Sequence, residues 1–527
     1  MIDVMNARIL AFDARAMKRS RSAIAPALFA LALAGCNTGN ENRAPFMTPP
    51  AMERTLGRAG AKSSGAWPVS DWWRQFRSNE LDGLVTTALH ENQDLRRVYD
   101  RLHQAEAITE VEGAKLLPFL NVDMNMVQHR VASHGVEASY NPAIAGLEKT
   151  AGNLIPSFYY EFDFWGKNRA ALNAAIGETA AESAELAETQ LLLTTGLARA
   201  YFRGVAAARQ LDLAREMTKL RRELVSVAET RFRTGLDIED ATASARMDLE
   251  AAVKREAGVE ALLALQQDLV ARLSGEGPDA GRGLMVKSRV ALPTAPPLPK
   301  TLPLELLVHR PDLAAAMHRA EAAAERIHGA KAEFLPSVDL SVLPSFQASQ
   351  HSTHIDKLAT YLFRASAFNY YVQPGFHFPL FEGGRLRGKL EARRSEYDEA
   401  VDEYNETLLR AAQQVADSLV NVRQTGTVVD AQRRLVGDAR EKLALAKSRW
   451  NSGLKDRREI LTLAHDAFEA AYYLHALEAD LLSARVDLIQ SLGGGYELGP
   501  TPVFPLPSPE DDGLSPYVNF LESLGGG

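Results

Sequence analysis

Side chains able to do covalent or metal chemistry are sparse in this chain and poorly clustered. Cys36 is the one cysteine among 527 residues, so no internal disulfide and no cysteine-built zinc site can form. The 12 histidines are scattered. His351 and His354 are close enough to share a metal, but they stand in a polar stretch where solvated surface is the better reading. No nucleophile elbow, His-Glu-x-x-His zinc motif or phosphate-binding loop is present. The chain is therefore not expected to be an enzyme, and no cofactor is expected. A formal net charge of −8 lacks the basic face that nucleic-acid binding requires, which removes that class of partner. The charges left in a suggestive spacing cluster after Gly453: Lys455 and Glu459, preceded by the aromatic Trp450. On a helix surface Lys455 and Glu459 would form an (i, i+4) pair worth about 0.2–0.5 kcal/mol.

The elements that could position these residues begin with an export signal. Arg15, Lys18, Arg19 and Arg21 precede an apolar run from Ala23 to Ala34, too short to span a bilayer as a helix. The run ends Leu33-Ala34-Gly35-Cys36, which resembles the bacterial lipoprotein box. That resemblance implies a signal peptide over 1–35 and a covalent lipid on Cys36. No later apolar run reaches the length of a transmembrane helix, so any membrane passage must be made by β-strands.

The remainder repeats at one offset of 218 residues. Asp94-Leu95 matches Asp312-Leu313, Arg101 matches Arg319, Pro118 matches Pro336, and Gly166 matches Gly384. Further on, Ala228, Arg231, Gly235 and Leu236 match Ala446, Arg449, Gly453 and Leu454. The expected organisation is a first repeat over 36–290, a proline-rich connector at 291–303, a second repeat over 304–496 and a tail over 497–527. Each repeat should open with a helix (79–113 and 304–333) that stops at Pro118 or Pro336. Two short strands follow, and then about 120 residues without proline, which permits unusually long helices. The alanine-rich segments 167–234 and 385–452 each predict a helix of roughly 100 Å at 1.5 Å per residue, long enough for a coiled-coil body. Gly235 and Gly453 mark the turns into returning helices.

The four expected strands alternate in polarity. Leu120, Val122, Met124 and Met126 oppose Asn121, Asp123 and Asn125; Phe158, Tyr160, Phe162 and Phe164 oppose Ser157, Tyr159, Glu161 and Asp163. Val338, Leu340 and Val342 oppose Ser337, Asp339 and Ser341. In the last strand Tyr370, Val372, Phe376, Phe378 and Leu380 oppose Tyr371, Gln373, Gly375 and His377. Edge strands of a soluble sheet would show the same alternation. Four strands cannot close a barrel, however, and an open edge cannot sit in lipid; a symmetric trimer would supply twelve. Phe119, Tyr159, Trp165, Tyr371 and Phe381 are expected as interfacial aromatics.

Several segments resemble the outer-membrane efflux protein family, which is TolC-like, in its OprM/NodT lipoprotein branch. They are Asp71-Trp72-Trp73, Asn92-Gln93-Asp94-Leu95-Arg96, His309-Arg310-Pro311-Asp312-Leu313, Leu335-Pro336-Ser337, Pro379-Leu380-Phe381-Glu382-Gly383-Gly384-Arg385 and Ser491-Leu492-Gly493-Gly494-Gly495. The resemblance implies a mainly α fold with a transmembrane β-barrel portion: a tandem-duplicated chain, a long α-helical barrel, and a twelve-stranded barrel completed by a homotrimer. It also implies an outer-membrane location, and as partners a periplasmic adaptor and an inner-membrane RND-type pump. At the periplasmic entrance it implies a gate at Trp450, Lys455 and Glu459. The family's second acid there is Thr462 in this chain, and the acid of the first repeat falls on Ala241, with Asp240 one place earlier. Three copies of Glu459 around an axis would attract cations and narrow the pore electrostatically. The implied function is an efflux conduit for drugs, toxic compounds or metal ions. The alternatives are an outer-membrane component of type I protein secretion and a non-conducting envelope lipoprotein, though a spacer has no use for four patterned strands.

Overall fold

The computed structural model describes residues 44–51, 54, 67–287, 309–350, 361–452, 454 and 456–497. The signal segment with Cys36, the connector at 291–303, His351, His354, Gly453, Lys455 and the tail beyond 497 lie outside the described residues.

The duplication is carried into the elements almost residue for residue. The first repeat holds α1 (Asn79–Glu91), α2 (Gln93–Ala114), β1 (Phe119–Arg130), β2 (Glu148–Phe162), α3 (Lys167–Arg233) and α4 (Glu239–Leu273). The second holds α5 (Pro311–Ala332), β3 (Ser337–Gln350), β4 (Phe368–His377), α6 (Arg385–Asn451) and α7 (Arg457–Ser491). The helices α3 and α6 are each 67 residues long and start 218 residues apart. Their starts are set alike, by Gly166 (φ 75°) and Gly384 (φ 92°) in the left-handed region. In the first copy Asp163 accepts the orphan N–H groups of Asn168 and Arg169 at 3.1 and 2.8 Å, which caps the helix. Its far end closes in a Schellman motif: Leu236 N–H donates to the Arg231 carbonyl at 2.8 Å and Gly235 N–H to Phe232 at 3.0 Å, with Gly235 at φ 72°.

One expected helix is two. The stretch 79–113 breaks at Asn92, whose extended backbone (ψ 126°) ends α1 and starts α2. Its side chain explains the break: Oδ1 accepts from Leu95 N–H at 3.0 Å and Nδ2 donates to the Leu273 carbonyl at 2.9 Å. The N-cap is thereby tied to the end of α4.

The helices stand side by side as a wall. Towards the strands the order is α2, α3, α5, α6; away from them it is α4, α3, α7, α6. Where the two halves meet, a collar core gathers Trp72, Phe76, Leu81, Tyr201, Phe202 and Met285. Fully buried Tyr201 contacts Ser78 Oγ at 2.7 Å and donates to Glu80 Oε2 at 2.9 Å, while Glu80 Oε1 accepts Met285 N–H at 3.0 Å. Elsewhere the wall packs through small residues. A Cβ on Gly177 of α3 would sit 3.0 Å from that of Ala322 in α5, and ion pairs Arg326–Glu178 and Arg319–Glu185 flank that seam.

Candidate functional site

The four strands form one antiparallel sheet in the order β1-β2-β3-β4. The register keeps parity across every seam: Leu120 faces Phe158, Phe158 faces Val342, and Val342 faces Val372. Even-numbered residues therefore make one continuous face, apolar from Leu154 to Phe162 on β2 and from Val338 to Phe346 on β3. A tilted strand needs roughly 9–11 residues to cross a bilayer core, and these stretches supply it. Much of this apolar face is bare within one protomer: Leu120 is 72% exposed and Phe376 71%. Odd-numbered residues make the opposite face, with Asn121, Asp123, Asn125, Asn153, Glu161 and Asp339. There Asn153 donates to Asn125 at 2.8 Å, and Lys167 at the start of α3 pairs with Glu161. The β2–β3 ladder is interrupted between Leu154↔Phe346 and Phe158↔Val342, where Pro156 and Pro344 face one another and neither has an N–H to give.

The strands differ from expectation at their ends. Three run longer than the sequence pattern suggested, while β4 stops at His377, leaving Phe378 and Leu380 outside because Pro379 cannot donate to a ladder. Phe164 likewise lies beyond β2. Phe119, Tyr159 and Tyr371 are odd-numbered and so lie on the polar face rather than in an outer girdle; Tyr160, Phe162, Phe346, Phe368 and Phe376 share the apolar face instead. Trp165 and Phe381 stand just past the strands, and Trp165 Nε1 donates to the Pro336 carbonyl at 2.6 Å.

At the opposite end of the wall, 67 residues of helix away, the hairpin turns α3–α4 and α6–α7 meet. Trp450 lies in the last turn of α6 and is 46% exposed. Asp240 and Glu459 each occupy the first turn of their helix, where a carboxylate favours the helix dipole. Trp450 and Asp240 are not joined to one another by any bond among the described residues. The turns are bound instead by residues the motif reading passed over. Asp237 takes Arg231 Nε at 3.2 Å and Arg458 at 3.8 Å, Arg231 also approaches Asp456 at 3.8 Å, and Arg457 pairs with Glu223 at 3.2 Å. The Arg231 hydrogen bond above all, against some desolvation, holds the Asp237 carboxyl below its ordinary range. A signal for Asp237 was present in the sequence, since the 218-residue offset carries it onto Lys455.

Among the described residues no three His, Cys, Asp or Glu side chains are placed to hold a metal ion. No described helix is long and apolar enough to cross a membrane.

Comparison with known proteins agrees with this geometry. A family profile for outer membrane efflux proteins matches residues 84–276 and again 302–494. The chain is 28% identical over 475 residues to the multidrug resistance outer membrane protein MdtQ of Escherichia coli, covering 89% of this chain and 96% of that one. To MdtP of the same species it is 27% identical over 476 residues, covering 89% and 95%. Among solved structures, the outer membrane protein VceC of Vibrio cholerae superposes with a TM-score of 0.70 at 28% identity, over 82% of this chain and all of that one. The Campylobacter jejuni CmeC channel gives 0.76 at 19% identity, over 88% and 96%. That family consists of channels, not enzymes. The chain belongs to the outer membrane efflux protein family and is the outer-membrane channel component of an efflux system.

Proposed function

We propose that this protein works as a homotrimer in which three four-stranded sheets join into a twelve-stranded barrel, anchored further by a lipid on Cys36. One observation carries the proposal. A four-stranded sheet presents a bare apolar face of membrane-spanning length, yet both its edges, β1 and β4, are open. Unpaired N–H and C=O groups cannot remain in hydrocarbon, so further copies must close the ring. The polar face then lines a water-filled lumen that conducts passively, and a periplasmic adaptor and an RND-type inner-membrane pump supply substrate and energy at the helical tip. Drugs, toxic compounds or metal ions are the cargo; the multidrug-resistance names of the relatives favour small molecules.

The entrance is gated by Trp450, Lys455, Glu459 and Asp240. The Arg458–Asp237 contact within a protomer supports this reading, because the offset converts it to Asp240 and Lys455, the same charges exchanged, available between protomers. Light scattering of detergent-extracted protein should return three copies, and planar bilayers should show discrete conductance. A monomeric particle would end the proposal. Glu459→Gln should lower the preference for cations; unchanged selectivity removes Glu459 from the gate. For the anchor, Cys36→Ser should abolish incorporation of labelled palmitate, and continued labelling would place the lipid elsewhere.

A further inference from the structure

We infer that Arg169 and Arg387, one at the head of each long helix, bind the phosphates of anionic phospholipids in the periplasmic leaflet of the outer membrane. This rests on the barrel proposed above and names the lipid chemistry that its lower rim recognises.

The two arginines stand at equal places in the two repeats, as the third residue of α3 and of α6. Both are exposed. Among the described residues neither guanidinium has a hydrogen-bond or ion-pair partner. The bases beside them are used: Lys167 pairs with Glu161, Arg385 with Glu382 and Lys389 with Glu333. The arginines are also poorly placed for the helices themselves. Every other helix named above has an acid in its first turn, whereas α3 and α6 have none. A cation there opposes the helix dipole, so helix formation gives no reason for it.

Helical geometry fixes the side on which they lie. Successive residues turn by about 100°, which sets Arg169 roughly opposite Lys167. Lys167 reaches Glu161 on the polar face of the sheet, so Arg169 lies on the side of the apolar face. The wall of helices agrees. Arg101 of α2, Glu178 and Glu182 of α3, Arg326 of α5 and Arg393 of α6 converge on one cavity, which makes that side concave. Glu178 and Glu182 lie on the Lys167 stripe of α3. Arg169 therefore stands on the convex side, which in a closed ring faces out, and Arg387 occupies the same place on α6.

That side continues the apolar surface. Phe164 stacks on Phe162 at 5.6 Å, just beyond β2, and Phe164, Leu380 and Phe381 are exposed. The arginines follow about 3 Å down the helix axis, within a headgroup layer of roughly 5–8 Å. Asp398 and Asn405 lie about three and five whole turns past Arg387, and they accept the N–H groups of Ala44 and Met47 at 2.8 and 2.7 Å. The segment that follows Cys36 thus runs along the arginine side. A guanidinium forks onto phosphate oxygens, and a net negative headgroup compensates its charge where a zwitterionic one does not. Near such a surface each arginine should enrich anionic lipid about fivefold.

Trp165, half exposed beside this surface, is the reporter. Full-length protein is reconstituted in phosphatidylcholine vesicles holding a rising fraction of phosphatidylglycerol, or of phosphatidylcholine, with acyl chains brominated near the headgroup. Quenching lost on Trp165→Phe belongs to Trp165; Phe381→Trp in that background reports on Arg387 in the same way. Brominated phosphatidylglycerol should quench at about one-fifth of the fraction that brominated phosphatidylcholine requires. The advantage should vanish in Arg169→Gln/Arg387→Gln and survive in Arg169→Lys/Arg387→Lys. Equal quenching by the two lipids in the wild type, or an advantage retained by the glutamine pair, overturns the inference and leaves the barrel standing. Loss in the lysine pair as well would mark a structural effect and also overturns it. Quenching by neither lipid puts the rim outside the membrane and overturns the barrel itself.

Discussion

Replacing Gly493 by alanine tests how the collar is held, and its cost can be worked from two separate terms. The first is conformational: Gly493 sits at φ 85°, where an L-residue with a Cβ costs about 1–2 kcal/mol. The second is steric: the new Cβ would overlap the carbonyl of His309. That carbonyl cannot swing away, because the adjoining Arg310 is pinned, its Nη1 donating to the Ser491 carbonyl at 2.9 Å and its Nη2 bonding Gln414 at 2.8 Å. Overpacking of this kind costs about 1–3 kcal/mol, so the total is roughly 2–5 kcal/mol. An unfolding entropy near 2.1 cal/mol/K per residue makes each kcal/mol worth only about 1 °C in a chain this long. Thermal loss of the helical circular-dichroism signal in detergent should therefore fall by about 2–5 °C. Gly235 supplies the internal comparison, since it has φ 72° but nothing within 4 Å of a built Cβ. Gly235→Ala should show the conformational term alone, about 1–2 °C. Equal shifts for the two variants would refute the claim that a fixed carbonyl at 309 is what excludes a side chain. Gly275, the partner of Gly493 in the first repeat, meets the Glu91 carbonyl at 2.5 Å and should behave like Gly493.

The collar also contains a pH-dependent cost. Glu188 is pushed up to about 7, first by burial and then by the nearby Asp312, against the pull of Arg310, and its Oε2 finds no hydrogen-bond partner. A raised carboxylate pKa means the folded state holds a proton that the unfolded chain has released, so stability falls as pH rises from about 4.5 to about 7, by up to about 3 kcal/mol. Glu188→Gln should raise the melting temperature at pH 8 and leave it nearly unchanged at pH 4.5; equal gains at both would contradict the assignment. Tyr201→Phe removes a buried hydroxyl from Ser78 and Glu80 and should cost about 1–3 kcal/mol, read as faster amide exchange across α1. Protection of α1 equal to wild type would show that the hydroxyl does not hold that helix.

The long helices could be read to within a residue because their causes are local. Proline is missing, alanine abounds, and a glycine free to take positive φ stands at the ends described, so no distant partner is needed to place Lys167 or Arg385. Strand ends followed a different rule. Gly152 and Ala348 show little strand character alone, yet they face one another in the ladder because the strands beside them supply hydrogen bonds, and that information is non-local. Asn92 reads as one more polar helical residue until Leu273 is beside it. The tip shows the same limit. Glu459 and Trp450 stood out through spacing from a glycine, whereas Asp237 has a role only because Arg231 and Arg458 converge on it from two repeats.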